Sequence, residues 1–207
     1  MSIGFDWTVR EELQSALDSL AHNLRFDTDR DRADAVQRVL ALLREHAAGA
    51  RYGLADVYAL GDTTGPAKLD SLALDLRARF TAETRGARAS SGATDVEARP
   101  EEGPGMVVVS LLFAGYVELP DVELYDRPST LVALYADPGS HVPGLDVIWS
   151  PAEPDDRMSS HELERFYPEL RRMDDAGEVG SRACAHCGAP RPSELSACPA
   201  CGSTATV

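Results

Sequence analysis

The chain has 207 residues, 43% of them hydrophobic, and its 34 acidic and 20 basic side chains give a formal net charge of −14. This length and apolar content suit one medium-sized domain or two small ones. The acidic excess argues against nucleic-acid binding, which normally needs a basic patch. In addition, no apolar run approaches the roughly 18–20 residues that span a bilayer.

Residues 1–88 predict a helical region. Asp6 is a candidate cap for a first helix, a second helix is expected over residues 32–48 before Gly49, and a third begins after Gly65-Pro66. Each carries one apolar stripe at helical spacing, which is typical of a packed core. The stripes comprise Val9, Leu13, Leu17, Leu20, Leu24, Val36, Val39, Leu40, Leu43, Ala47, Leu69, Leu72, Leu76 and Phe80.

A small α/β unit is predicted over residues 106–174, after a glycine- and proline-rich linker or surface loop over 89–105. It starts with an apolar strand over 106–116, expected to be buried on both faces. A short helix over 126–135 and a second strand over 145–149 follow. Because the crossover between these strands is short, the sheet could be mixed instead of purely parallel.

The last helix of this unit begins at Ser159, since Ser159 and Glu162 have the spacing of a capping box. Pro168 lies inside its apolar run and predicts a kink or a break. The predicted fold class is α+β, with the helical region and the α/β unit forming one domain. A tether over 175–182 then leads to a zinc ribbon over 183–207.

Four cysteines in two CxxC pairs form the clearest motif of the chain. Ten residues separate the pairs, and each pair is followed by a glycine, Gly188 or Gly202, which eases a tight turn. Two such turns can present four thiolates to one tetrahedral zinc ion. The segment resembles a zinc ribbon, so we expect one structural zinc ion held by Cys184, Cys187, Cys198 and Cys201.

Other chemistry at these cysteines stays open. A rubredoxin-type iron site has the same spacing, but residues 183–207 contain no Trp, Tyr or Phe to cover a redox centre, which favours zinc. Thiol–disulfide chemistry is a further alternative. His186 is expected to be exposed, because four sulfurs already complete the zinc shell. The lack of a membrane-length apolar run, a first decapeptide without a signal pattern and the need for reduced thiols together favour the cytoplasm, with no membrane span.

The stretch from Met106 to Met173 resembles a family of bacterial, cyanobacterial and chloroplast proteins known as domain of unknown function 1517. The helical lead-in matches it more loosely. Chloroplast members include proteins of light acclimation, but photosynthetic members are membrane-tethered and this chain adds a ribbon, so that role is not carried over. The resemblance implies a fold and no catalytic residues. It rests on residues 107–114, 146–151, 154–158, 159–163, 167–170, 40–44 and 80–83.

No familiar catalytic motif is visible in the sequence. His161-Glu162 begins like a zinc-protease helix, but Arg165 stands where the second histidine is needed. Asp155-Asp156 and Asp174-Asp175 could bind a hard cation, although such pairs are more often only solvated. Trp149 is either a recognition aromatic or, more commonly at a strand end, a cap on the core.

These observations favour a non-enzymatic, acidic cytoplasmic adaptor or regulatory protein that binds a protein partner. One alternative is an enzyme whose site is assembled from scattered residues such as His141, His161 or Asp155. The other is a nucleic-acid-associated factor that acts through the ribbon, which the charge balance disfavours.

Overall fold

The computed structural model describes residues 1–61, 64–91, 104–116, 141–152, 156–173 and 179–204, with the backbone alone for 80–91. In these ranges the elements run β1 (Ser2–Phe5), α1 (Trp7–Asn23), α2 (Asp29–Glu45), a 3-10 turn (Ala47–Gly49), β2 (Ala50–Leu54), α3 (Gly65–Ser91), β3 (Val107–Ala114), β4 (Gly144–Ser150), α4 (Ser160–Phe166), β5 (Arg171–Arg172), β6 (Ser181–Ala183) and β7 (Pro190–Pro192). The predicted α+β class is confirmed.

One antiparallel sheet with strand order β4-β3-β1-β2-β5 organises the body of the protein. The expectation of a crossover between parallel strands is therefore wrong, because β3 and β4 pair antiparallel from Val108↔Ser150 to Ala114↔Gly144. The helix predicted over 126–135 lies outside the described residues. Strand β1, at the centre of the sheet, is absent from the helical prediction for residues 1–88.

Helices cover both faces of the sheet, so the body has three layers. On one face α1 and α2 pack on Val107, Val109 and Leu111 of β3 in a first core cluster. On the other face α3 and α4 pack with Met106 and Val108 in a second core cluster. Alternate β3 side chains thus enter opposite clusters, which confirms a strand buried on both faces.

The helix ends follow their local signals. Asp6 caps α1 by accepting from the Thr8 N–H at 2.9 Å. Ser159 and Glu162 form the predicted capping box of α4. This helix ends at Phe166, just before Pro168, so the predicted break is confirmed. By contrast α3 continues to Ser91, into the segment whose composition predicts a linker.

Candidate metal centre

The four cysteine sulfurs form one cluster in which all lie within 4.8 Å of one another. The Sγ atoms of Cys184 and Cys201 are 3.9 Å apart, and those of Cys187 and Cys198 are 3.8 Å apart. A tetrahedron with metal–sulfur bonds of about 2.3 Å has edges of roughly 3.8 Å. A disulfide needs about 2.05 Å, so the arrangement fits a four-thiolate metal site and not a disulfide pair.

Each CxxC pair lies in a tight turn of the same design. In the first turn the Gly188 N–H donates to the Cys184 carbonyl at 2.8 Å, and in the second the Gly202 N–H donates to the Cys198 carbonyl at 2.7 Å. Both glycines have a positive φ, 73° at Gly188 and 70° at Gly202. Glycine adopts this conformation without strain, which explains its place after each pair.

The first turn joins β6 to β7, and the second closes with a bridge between Ala197 and Thr204. Residues 179–204 are called the C-terminal module below. Within it Cys184 and Cys198 are buried and Cys187 and Cys201 are exposed. His186 is exposed, as predicted, and the cluster consists of the four sulfurs.

The Ser203 hydroxyl contacts one sulfur of each CxxC pair. It lies 3.1 Å from the Cys201 sulfur and 3.4 Å from the Cys184 sulfur. This hydroxyl, followed by the backbone N–H groups of Cys187 and His186, lowers the pKa of Cys184 to about 5. The hydroxyl and the N–H of Ser203 lower the pKa of Cys201 to about 7.

Cys187 responds in the opposite direction. The Ala189 N–H lowers its pKa, but contact with the Cys201 sulfur, partial desolvation of the thiol and the other sulfurs outweigh this and raise the pKa to about 12. Without a cation the cluster therefore retains protons, because four negative charges repel one another at this distance. A bound metal ion would supply the balancing positive charge and displace those protons.

The C-terminal module packs directly on α4. The Glu194 carboxylate accepts hydrogen bonds from the Ser160 N–H at 2.7 Å and from the Ser160 hydroxyl at 2.8 Å. Ser160 is fully buried, and Leu195 beside Glu194 is 7% exposed. Within the predicted tether over 175–182, Val179 belongs to the second core cluster and Ser181 begins β6.

A second set of contacts connects the module with the sheet through α4. The Glu164 carboxylate accepts from the Tyr52 hydroxyl of β2 at 2.8 Å and from the Ser181 N–H at 3.2 Å. Nδ1 of His161 lies 2.9 Å from the Ser181 hydroxyl. Gly180 has φ +121°, and a Cβ there would lie 2.9 Å from a Glu164 carboxylate oxygen, so its lack of a side chain permits the close approach.

The residues considered for a scattered catalytic site have separate neighbours. His141 lies 3.5 Å from the Asp29 carboxylate at the start of α2, whereas His161 contacts the C-terminal module. Asp155, Asp174 and Asp175 lie outside the described residues.

Trp149 is partly buried and packs against the first core cluster, as expected of a residue that caps the core. It also lines an apolar groove of about 290 Å³ between α1, the α1–α2 connection and β4. Asp146 in this lining forms an ion pair with Arg77. The groove thus brings together apolar side chains and an already paired carboxylate, which is not an arrangement for acid–base chemistry.

Sequence reasoning missed the polar residues around the cluster. Ser203 could have been found by superposing the two pairs, since Cys-Gly is followed by Ala189 in one and by Ser203 in the other. Glu194 and Glu164 carry no local signal. Their roles depend on contacts that only the folded chain creates.

Fold and site together define an α+β protein with a C-terminal four-cysteine module docked on its body. The chain belongs to the family described as protein of unknown function (DUF1517), which it matches over residues 2–173. The module follows this matched region.

A curated relative, Protein FLAP1 homolog A of Synechocystis sp., is 28% identical over 177 residues, which cover 78% of this chain and 52% of the relative. The chain thus spans about half the length of the curated relative that it matches. No solved structure matches the chain significantly. In the described parts of the chain, no helix is long and apolar enough to cross a membrane.

Proposed function

We propose that this protein is a non-enzymatic adaptor or regulatory protein whose C-terminal module holds one structural zinc ion. The observation that carries the proposal is the four-sulfur cluster, in which two sulfur–sulfur distances, 3.8 and 3.9 Å, match the edge of a tetrahedral zinc–thiolate site. Cys184, Cys187, Cys198 and Cys201 would each supply one thiolate. Four thiolates close the coordination shell of zinc, which leaves no position for a reacting water.

Zinc is favoured over iron by the surroundings of the cluster. Two of the sulfurs belong to exposed cysteines, Cys187 and Cys201, and the module has no Trp, Tyr or Phe to shield a redox centre. Zinc has no redox chemistry, so exposure of its ligands is tolerated. Thiolates remain reduced in the cytoplasm, which is the location we propose.

A binding role is supported by the character of the body. His141 and His161 have separate partners, and the apolar groove presents a carboxylate that is already paired with Arg77. The net charge of −14 suits a protein partner with a basic surface.

One affinity purification from the native host tests both parts of the proposal. The intact chain, a Cys198→Ser variant and a Ser196→Ala control would be captured under reducing conditions, with metal analysis on the same preparations. We expect about one zinc ion per intact chain and per control chain, and clear zinc loss in Cys198→Ser. We also expect a partner enriched with the intact chain.

Two results would overturn the proposal. An intact chain with reduced thiols and no bound zinc would contradict the metal site. Turnover on a substrate panel, with no partner enriched by the intact chain, would favour an enzyme instead. Ser196 suits the control because it is exposed and lies two residues before Cys198.

A further inference from the structure

We propose that metal binding at the four-cysteine centre controls the docking of the C-terminal module on α4, with Glu194 as the positioning residue that couples the two. Bound metal would then hold the module against α4 and the second core cluster. This inference rests on the proposed function, because it requires that the cysteines bind zinc.

Glu194 accepts hydrogen bonds from a residue of the body that is fully buried while the module is docked. Its two carboxylate oxygens accept from the N–H and the hydroxyl of Ser160, at 2.7 and 2.8 Å. Ser160 is 0% exposed, and its neighbour Ser159 is 8% exposed. If the module moved away, both Ser160 donors would exchange a carboxylate acceptor for water, and hydrogen bonds to a charged group are stronger than those that replace them. The Glu194 carboxylate, from the module, thus supplies the acceptor for donors in the first turn of α4.

Glu164 forms a second connection at the same interface. It joins Tyr52, which is 1% exposed in the second core cluster, to the Ser181 N–H of β6. Val179, just before β6, is itself buried in that cluster. Undocking of the module would thus leave Glu164 with one partner fewer and would expose apolar surface around Val179.

The position of Glu194 depends on the metal centre. It lies between the two CxxC pairs, after β7 and four residues before Cys198. The module buries only a few apolar side chains, including Val179 and Leu195, so it has too little core to hold this loop unaided. Zinc would fix both ends of the loop and so place the carboxylate against Ser160.

Hydrogen exchange on the full chain, read by mass spectrometry, tests the coupling. In the wild type, removal of zinc with a chelator under reducing conditions should speed exchange in residues 179–204 and also in α4. Helices α1 and α2, on the opposite face of the sheet, should stay protected. In Glu194→Gln, α4 should exchange faster even with zinc bound, because the amide group offers a single acceptor oxygen.

Linkage requires the reverse effect as well. Competition with a zinc chelator should show an affinity at least about fivefold weaker in Glu194→Gln than in the wild type. Ser160→Ala removes one of the two hydrogen bonds and should give a smaller change in the same direction. Glu45→Gln alters an exposed carboxylate at the end of α2 and should change neither measurement.

The outcomes separate this inference from the proposed function. A chain that binds no zinc contradicts both. A chain that binds zinc, but whose α4 exchange is the same with and without metal, contradicts the coupling alone. Equal zinc affinity in Glu194→Gln and Glu45→Gln would also overturn it.

Discussion

Ser203 is the one hydroxyl that contacts two sulfurs of the cluster, among the residues that the structure describes. A hydroxyl has a single proton, so it donates to Cys201 or to Cys184 and alternates between them. In either position it stabilises a thiolate, which is the form that binds metal. The corresponding residue of the first turn is Ala189, so the first turn supplies no equivalent hydroxyl.

Replacement of Ser203 by alanine should weaken zinc binding by about tenfold, the lower end of effects from groups that support metal ligands. The Ser203 hydroxyl keeps the pKa of Cys184 and Cys201 below the ordinary thiol value. Without it protons compete better with zinc, so zinc should be released at a higher pH as the solution is acidified. Chelator competition over a pH series measures both effects.

Two matched variants accompany this test. Ser196→Ala removes an exposed hydroxyl in the same module and should leave zinc release unchanged. Ala189→Ser adds a hydroxyl at the corresponding position of the first turn and should not weaken binding. A Ser203→Ala chain that released zinc at the wild-type pH would refute a role for the hydroxyl.

The reach of sequence reasoning at the residue scale depends on the distance between partners along the chain. The CxxC pairs and the Ser159–Glu162 capping box are local motifs. The structure contains the predicted capping box and brings the four cysteines of the two pairs together. The Glu194–Ser160 bonds connect residues 34 positions apart, and the Tyr52–Glu164 bond spans 112 positions. Such contacts have no spacing rule, so the interface of the module could not be predicted.

At the scale of elements, the short strands escaped prediction and the long helices did not. Strand β1 has four residues, one of them Gly4, and its neighbours in the sheet come from residues 50–54 and 107–110. A segment of this length shows no measurable period. Helix α2 has 17 residues and buries every predicted stripe position that it contains.

The contact between α1 and the 3-10 turn before β2 predicts a sensitive glycine. A Cβ on Gly49 would lie 2.4 Å from a methyl group of Val9, so Gly49→Ala forces α1 away from the turn. We expect a loss of about 1–3 kcal/mol in the free energy of unfolding. Denaturant titration measures this loss, and adding Val9→Ala to Gly49→Ala should restore part of it.

Gly65→Ala is the matched control for this prediction. Apart from its chain neighbours and the backbone of its own helix, nothing lies within 4 Å of a Cβ built at Gly65, at the start of α3. Its effect should stay within about 0.5 kcal/mol, as for most surface substitutions. Equal effects of the two alanine substitutions would contradict the packing of α1 on the turn.

For the whole molecule, one sheet separates two core clusters that have different neighbours. The first cluster is covered by α1 and α2, and the second reaches the C-terminal module through α4 and Val179. The family match over residues 2–173 includes both faces of the sheet, whereas the four cysteines follow it. The module therefore extends the family fold on the face of the second cluster.

The charge distribution of the whole chain yields a prediction about nucleic acid. Residues 106–175 carry 14 acidic and 5 basic side chains, and residues 176–207 carry two of each. The C-terminal module has only two basic side chains, Arg182 and Arg191, which are too few for a large basic surface that would offset the acidic body. Counterion release, which supplies most of the affinity of DNA- and RNA-binding proteins, requires several such basic contacts.

The zinc-loaded chain should therefore pass through a DNA column at low salt without retention. A basic DNA-binding protein run on the same column serves as the positive control. Retention that falls steeply with added salt would contradict the prediction and favour a nucleic-acid-associated role for the module. In that case Arg182→Glu and Arg191→Glu, which reverse its two basic side chains, should abolish the retention, whereas Arg38→Glu on α2 should weaken it far less.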